Sequence, residues 1–380
     1  MRNKPELLAP AGDLERLKIA LLYGADAVYI GGPLLNLRAN AINFTFEEMK
    51  EAAEYAHKLG KKVYVTVNII PHESDLADLP EYILYLEKIG VDAVICADLG
   101  VISMVRKLAP NLDVHVSTQA NITNSEAAMV FVNMGVKRLV LAREMTLEEI
   151  TELRSKIPAD IELEAFCHGA MCISYSGRCL LSNFFTGRDA NRGACVQACR
   201  WNYEIREISK DQHYPIEEDT HGTYILNSKD MCMIDHLDKM QKAGITSLKI
   251  EGRMKTAYYV ASVVNAYRRV MDGVMTAAEA EEELTLMTHR PYSTGFYYGA
   301  VKKEPFNDGL YHHSGMFIAT VKEKTANGAY VQMRNRFAVG DTLELMSPDG
   351  GIIPFTVETI FGENGEKTLS TEKCPYDTPF

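Results

Sequence analysis

Eight short β-rich runs, separated by longer amphipathic stretches, restrict this chain to the parallel α/β architectures, because that alternation is the pattern of repeated βα units. The runs fall near Glu6–Leu8, Ala27–Ile30, Lys62–Val67, Ala93–Cys96, Val114–Ser117, Arg138–Ala142, Glu162–Phe166 and Ser247–Ile250. Eight is the number that closes a barrel, so the expected fold is a (β/α)8 TIM-like barrel. Helix starts are marked by Asp13 and by two capping boxes, Thr45 with Glu48 and Thr146 with Glu149. Gly24, Gly60, Gly90, Gly135 and Gly244 each follow a helical pattern and precede a strand, as helix stops do.

The rhythm breaks once, for roughly eighty residues between the seventh and eighth strands, against the ~2–6 of an ordinary βα or αβ loop. A cysteine-rich insertion is therefore expected over 170–228 within a barrel spanning 1–300. Its segment WNYEIREI has the alternation of a strand that pairs with Thr223–Leu226, and a helical pattern resumes at Lys229–Ala243. A helix over Thr256–Met271 and an acidic run, AAEAEEELT, read as a solvated helix face, follow. Short alternating strands separated by Asn327-Gly328, Gly340-Asp341 and Asp349-Gly350-Gly351 then predict a small antiparallel β-barrel or sandwich over 310–380.

No apolar run reaches the ~20 residues of a membrane span, and the amino terminus lacks a signal-like stretch, so a cytoplasmic protein with no membrane partner is expected. In that reducing setting eight cysteines argue against a disulfide framework. The net charge of -11 counts against nonspecific nucleic-acid binding, which depends on Lys and Arg. Locally the sign reverses: Arg178, Arg188, Arg192, Arg200 and Arg206 face only Asp189 and Glu204, and a second basic cluster holds Lys249, Arg253, Lys255, Arg268 and Arg269. One basic face on an acidic body admits an anionic substrate, for which Arg143, Arg178, Arg192 and Arg253 are the candidate binding residues.

Cys172, Cys179, Cys195 and Cys199 form a C-x6-C-x15-C-x3-C array inside the insertion. Thiolates this dense hold an iron-sulfur cluster or a structural zinc, with free or redox-active thiols as the remaining alternative. Zinc sites usually carry C-x2–4-C knuckles at both ends, and only Cys195 and Cys199 approach that, which favours iron. Cys232 is a candidate replacement ligand, whereas Cys96 and Cys374 read as small apolar residues. Active sites of such barrels sit at the carboxyl ends of the strands, where Asn68, Asp98, Ser117, Thr118, Gln119, Arg143, Glu144, Cys167, His168, Glu251 and Arg253 fall. Glu144, Glu251 and His168 are the acid/base candidates among them, with Glu164, within its strand, directed either to the mouth or to the interior. The chain has no G-x-S-x-G elbow, H-E-x-x-H pair, Walker A loop or C-x3-C-x2-C array.

The run EAFCHGAMCISYSGRCLLS from Glu164 to Ser182 resembles the signature of the U32 family, called peptidase U32 or collagenase-like protease. LLAPAG, AVYIGG, NSKD at Asn227–Asp230, KIEGRMK at Lys249–Lys255 and RPYSTGFYYG at Arg290–Gly299 are also similar, so the resemblance spans nearly the whole chain. It implies two competing activities. Members hydroxylate RNA bases, including prephenate-dependent formation of 5-hydroxyuridine at the tRNA wobble position 34, while others act on 23S rRNA or the ubiquinone ring; the family also carries a protease label. The resemblance further implies a [4Fe-4S] cluster on Cys172, Cys179, Cys195 and Cys199, with tRNA as partner and a second homologous subunit alongside. Arg143 and Arg253 are candidates to hold a carboxylated co-substrate such as prephenate. The remaining alternative is a non-enzymatic binding protein whose metal only staples the insertion.

Overall fold

The computed structural model describes residues 4–37, 43–172, 174–201, 204–207, 212–215, 229–299, 314–326, 328–348, 351–362 and 365–371. Strands β1 (Glu6–Pro10), β2 (Ala27–Gly31), β3 (Lys62–Val67), β4 (Ala93–Cys96), β5 (Asp113–Val116), β6 (Arg138–Val140) and β7 (Glu162–Ala170) alternate with helices α1 (Leu14–Leu22), α2 (Phe46–Lys58), α3 (Leu79–Ile89), α4 (Leu99–Leu108), α5 (Ser125–Asn133) and α6 (Leu147–Lys156). Each strand pairs in parallel with the next. The insertion contributes α7 (Leu181–Thr186) and the strands β8 (Glu204–Glu207), β9 (Gln212–Pro215) and β10 (Asp230–Cys232), followed by α8 (Leu237–Lys242). The eighth barrel strand, β11 (Ser247–Ile250), pairs in parallel with both β7 and β1 and closes the cylinder. This is the expected TIM-like barrel.

The caps form as the sequence indicates. Asp13 accepts from the backbone N–H of Arg16, and the Thr45/Glu48 and Thr146/Glu149 boxes are both complete. Gly90 ends α3 with φ 78°, a left-handed conformation that a residue with a Cβ adopts at a cost. Between strands and helices lies one continuous apolar layer, in which Leu7, Val28, Val63, Val94, Val114, Leu139, Leu163 and Leu248 face Leu17, Met49, Ile83, Ile102 and Val263.

The insertion departs from expectation. Glu204–Glu207 pairs antiparallel with Gln212–Pro215, a partner the sequence did not suggest; the expected partner, Thr223–Leu226, lies outside the described residues. The stretch from Lys229 is not one helix. Asp230–Cys232 is a strand, pairing antiparallel with the overhanging end of β7, Ala170 to His168, before α8 begins at Leu237. β7 is longer than its neighbours, and its free edge beyond the barrel supplies those hydrogen bonds.

α9 (Ala257–Met271), capped by Thr256, packs against β1 and α1, and the acidic run forms α10 (Ala277–Thr285), burying only Ala280 and Leu284. β12 (Tyr292–Ser293) pairs with β10. Three antiparallel pairs follow: β13 (Ala319–Thr325) with β14 (Gly328–Met333), β15 (Thr342–Ser347) with β16 (Gly351–Thr356), and β17 (Ile360–Phe361) with β18 (Lys367–Thr368). They touch the barrel through Tyr258 stacked on Phe317 at 4.8 Å and through the Tyr23 hydroxyl donating to the Met346 carbonyl at 2.9 Å. Among the described residues no helix is long and apolar enough to cross a membrane.

Candidate active site at the barrel mouth

Arg143, one of the residues that follow β6, organises the carboxyl end of the barrel. Its guanidinium lies 3.8 Å from the centroid of Phe166, which covers one face of the cation. From there Nη1 donates to Cys172 Sγ at 3.8 Å and Nη2 reaches Glu251 Oε2 at 3.5 Å. Residues from after β6, β7 and β11 therefore meet: a cation, a thiol and a carboxylate. Proton transfer and anion binding are both within the means of such a set.

Glu144 does something different. Its Oε1 accepts from the backbone N–H of Ser176 at 3.0 Å, and Ser176 Oγ in turn accepts from Thr118 Oγ1 at 3.3 Å. The carboxylate thus ties the loop after Cys172 to the segment after β6, and the Ser176 hydroxyl ties it to the turn after β5. Ser117 accepts from Asn68 at 3.4 Å in the same ring of contacts.

Arg253 is buried beside β2 and β3. Its guanidinium donates to Thr66 Oγ1 at 3.2 Å and to the side-chain oxygens of Asn36 at 2.7 Å and Asn43 at 3.1 Å. A Cβ on Gly31 would overlap that guanidinium, so the bare backbone there is what admits it. Nothing in the sequence marked Asn36, Asn43 or Thr66 as its partners, since they come from other βα units.

The insertion is fastened over this end of the barrel. Arg192 pairs with Asp75, beyond β3, at 2.8 Å, and the Ile70 N–H donates to the Asn191 carbonyl at 3.0 Å. Arg192, expected to bind substrate, is thus engaged in docking, while Arg178 lies exposed. Cys172 and Cys195 are exposed and Cys179 and Cys199 half-buried. Ser182, buried on α7, approaches Cys195 Sγ at 3.8 Å and accepts from the Val196 N–H at 3.2 Å, and Asn191 donates to the Cys179 carbonyl at 3.0 Å.

Four thiols on one short loop have the donor chemistry that iron-sulfur or zinc needs. In the conformation shown, no group of three or more His, Cys, Asp or Glu side chains among the described residues is placed to hold one ion. Cys232 lies in the core opposite His168, its Sγ 3.9 Å from the Tyr267 hydroxyl, and burial pushes its thiol up to about 11.

His168 and Glu164 both sit away from solvent. A one-residue slip in the β7–β11 pairing, where Phe166 faces Lys249 but His168 faces Ile250, makes Cys167 a bulge. His168 is thereby turned against α9, among the rings of Tyr259, Tyr267 and Tyr292. Burial, then His289 and Lys255, lower its pKa to about 3, so it is neutral at physiological pH. Glu164 points into the barrel interior, where it accepts from Lys249 Nζ at 2.6 Å and Arg138 Nη1 at 2.9 Å. Burial alone would raise its pKa; the Lys249 and Arg138 cations outweigh it and hold the carboxyl below its usual range. Arg138 also binds Glu6 and Glu162 at 2.6 Å, and Tyr64 donates to Glu6 at 2.7 Å. This network lies towards the amino ends of the strands, the face that carries stability in such barrels.

Residues 12–307 match the model described as peptidase family U32, and residues 313–374 match that of the peptidase family U32 C-terminal domain. The chain is similar to the tRNA hydroxylation protein P1 of Bacillus subtilis, 42% identical over 376 residues that cover 96% of this chain and 89% of that one. It is 37% identical to the tRNA hydroxylation protein P of Escherichia coli, with 96% and 90% covered. A protein named collagenase from Porphyromonas gingivalis is 31% identical, with 94% and 90% covered.

Proposed function

The chain belongs to peptidase family U32, and from that premise we propose that it is an RNA-modifying enzyme, a tRNA uridine hydroxylase that forms 5-hydroxyuridine at wobble position 34 with prephenate as co-substrate. The observation that carries this reading is the meeting of Cys172, Arg143 and Glu251 at the barrel mouth, under an insertion that is both cysteine-rich and basic. The names of the two tRNA hydroxylation relatives, each matched over 96% of this chain, support it.

Cys172, Cys179, Cys195 and Cys199 would hold a [4Fe-4S] cluster, since metal binding to thiolates commonly orders the ligands that are not yet gathered. When bound, the cluster would supply electron transfer at the mouth. The protein's own groups do the rest. Arg143 would meet one carboxylate of prephenate with its planar fork, and Arg253, whose guanidinium is held by Thr66, Asn36 and Asn43, would exchange those partners to meet the other. Glu251, paired with Arg143 at the mouth, would take the proton that leaves C5. His168, neutral and buried, is left to packing, and Glu144 holds the Ser176 loop in register with the mouth.

Expression in a bacterial strain lacking every homologue tests this. Mass spectrometry of its tRNA nucleosides should show 5-hydroxyuridine or its derivatives with the wild-type chain and none with Cys172→Ala. Unmodified tRNA, together with gelatin cleavage by anaerobically purified protein that survives Cys172→Ala, would establish the protease reading instead.

A further inference from the structure

Apolar side chains are normally withdrawn from water, and a cluster left exposed marks a contact surface. The insertion carries such a cluster. Phe184 is 82% exposed, and Tyr175, Leu180, Phe185 and Trp201 are exposed beside it along the same short segment. The rings are arrayed rather than scattered: Phe184 lies edge-to-face on Phe185 at 5.2 Å, and Phe185 is 6.3 Å from Trp201.

α7 explains how the chain presents them. Its inward face is fixed by Ser182, buried against Cys195 and the Val196 N–H, so Phe184, two positions on, is turned outward, while Phe185, closer to the Ser182 side, is the less exposed of the two. The flanking loop is held equally well, because Glu144 anchors Ser176 between Tyr175 and Arg178. Cations interleave with the rings: Arg178 and Arg188 are both exposed in this segment. On a chain of net charge -11, a patch that joins aromatic faces to arginines is complementary to one chemistry in particular. Unpaired nucleotides offer flat bases to stack and phosphates to neutralise.

We propose that α7 and its flanking loops form a stacking platform for an unpaired RNA loop, with Phe184 and Trp201 receiving bases and Arg178 and Arg188 receiving the backbone. The proposal rests on the RNA reading above and adds where the RNA docks. Because the platform shares its short segment with Cys179 and Cys195, a loop seated there is held beside the cysteine array while the neighbouring base enters the barrel mouth.

Trp201 is the only tryptophan in the sequence, so its fluorescence reports the platform directly. Full-length protein is titrated with an unmodified anticodon stem-loop RNA, following both Trp201 emission and the anisotropy of labelled RNA. Stacking should quench the emission. Phe184→Ala should weaken the dissociation constant about five- to hundredfold, the range that loss of one base stack produces, and Arg188→Glu should lower the salt slope by about one unit. Both residues are exposed, and unchanged circular dichroism will show that the variants fold.

Three results would overturn the proposal. RNA that binds with unchanged emission, and with affinities within twofold in both variants, places the docking face elsewhere while leaving the RNA reading intact. Concentration-dependent self-association that Phe184→Ala abolishes, with RNA affinity unchanged, makes the patch a protein contact. Absence of any RNA binding by the wild-type chain removes the platform and the RNA reading together.

Discussion

A carboxylate with no access to water keeps its charge only where cations surround it, and Glu164 sits between Lys249 and Arg138 for that reason. Removing its charge by Glu164→Gln leaves those two cations facing each other in the barrel interior. The expected cost is about 3–5 kcal/mol of unfolding free energy, measured by denaturant titration. Because the folded carboxyl titrates below its unfolded value of 4.5, the stability it contributes is complete above that pH and is lost as acid carries the pH below it. His168 also makes the fold acid-sensitive, over a range that begins at higher pH. Its folded pKa is about 3 against an ordinary 6.5, so the unfolded chain binds the extra proton between those values and stability falls as pH drops through them. His168→Asn should make the stability profile shallower between pH 6.5 and 5, where Glu164 is silent, the remaining slope there coming from His115, whose pKa burial also lowers, and the Glu164 share of the fall below pH 4.5 should persist. The type of His168 suggested an acid/base group titrating near neutrality; a period-2 reading of β7 from Glu164 through Phe166 would also have kept it facing inward. The bulge at Cys167 that reverses it is invisible in a single sequence, because it depends on the register against β11.

The strand and helix pattern was legible because each βα unit repeats the same local chemistry: a capping side chain, an apolar stripe, a left-handed glycine, a buried β-branched run. The insertion lacks that redundancy. Asp230–Cys232 has no strand signal of its own and becomes β10 only because the overhanging edge of β7 offers it backbone partners. The docking of Arg192 on Asp75 is likewise a contact between distant elements. Asp75→Ala should therefore release the insertion without unfolding the barrel. A half-exposed pair of this kind contributes about 1 kcal/mol or less to global stability, yet limited proteolysis within 170–201 should become faster. Unchanged cleavage would mean that the Ile70–Asn191 contact alone secures the loop.

For the whole molecule, the barrel supplies a rigid rim and the insertion supplies sulfur, aromatic rings and positive charge to that rim. Arg143 joins the two, touching Cys172 from the insertion and Glu251 from the barrel. The account depends on the four insertion thiols closing on iron at this junction. Iron and acid-labile sulfide, assayed on anaerobically purified wild-type protein and on each cysteine-to-serine variant, test that claim most directly. Equal amounts of iron and sulfide are expected, falling sharply in Cys172→Ser, Cys179→Ser, Cys195→Ser and Cys199→Ser and persisting in Cys232→Ser. Bound zinc without sulfide, or iron and sulfide unaffected by all four substitutions, would contradict it.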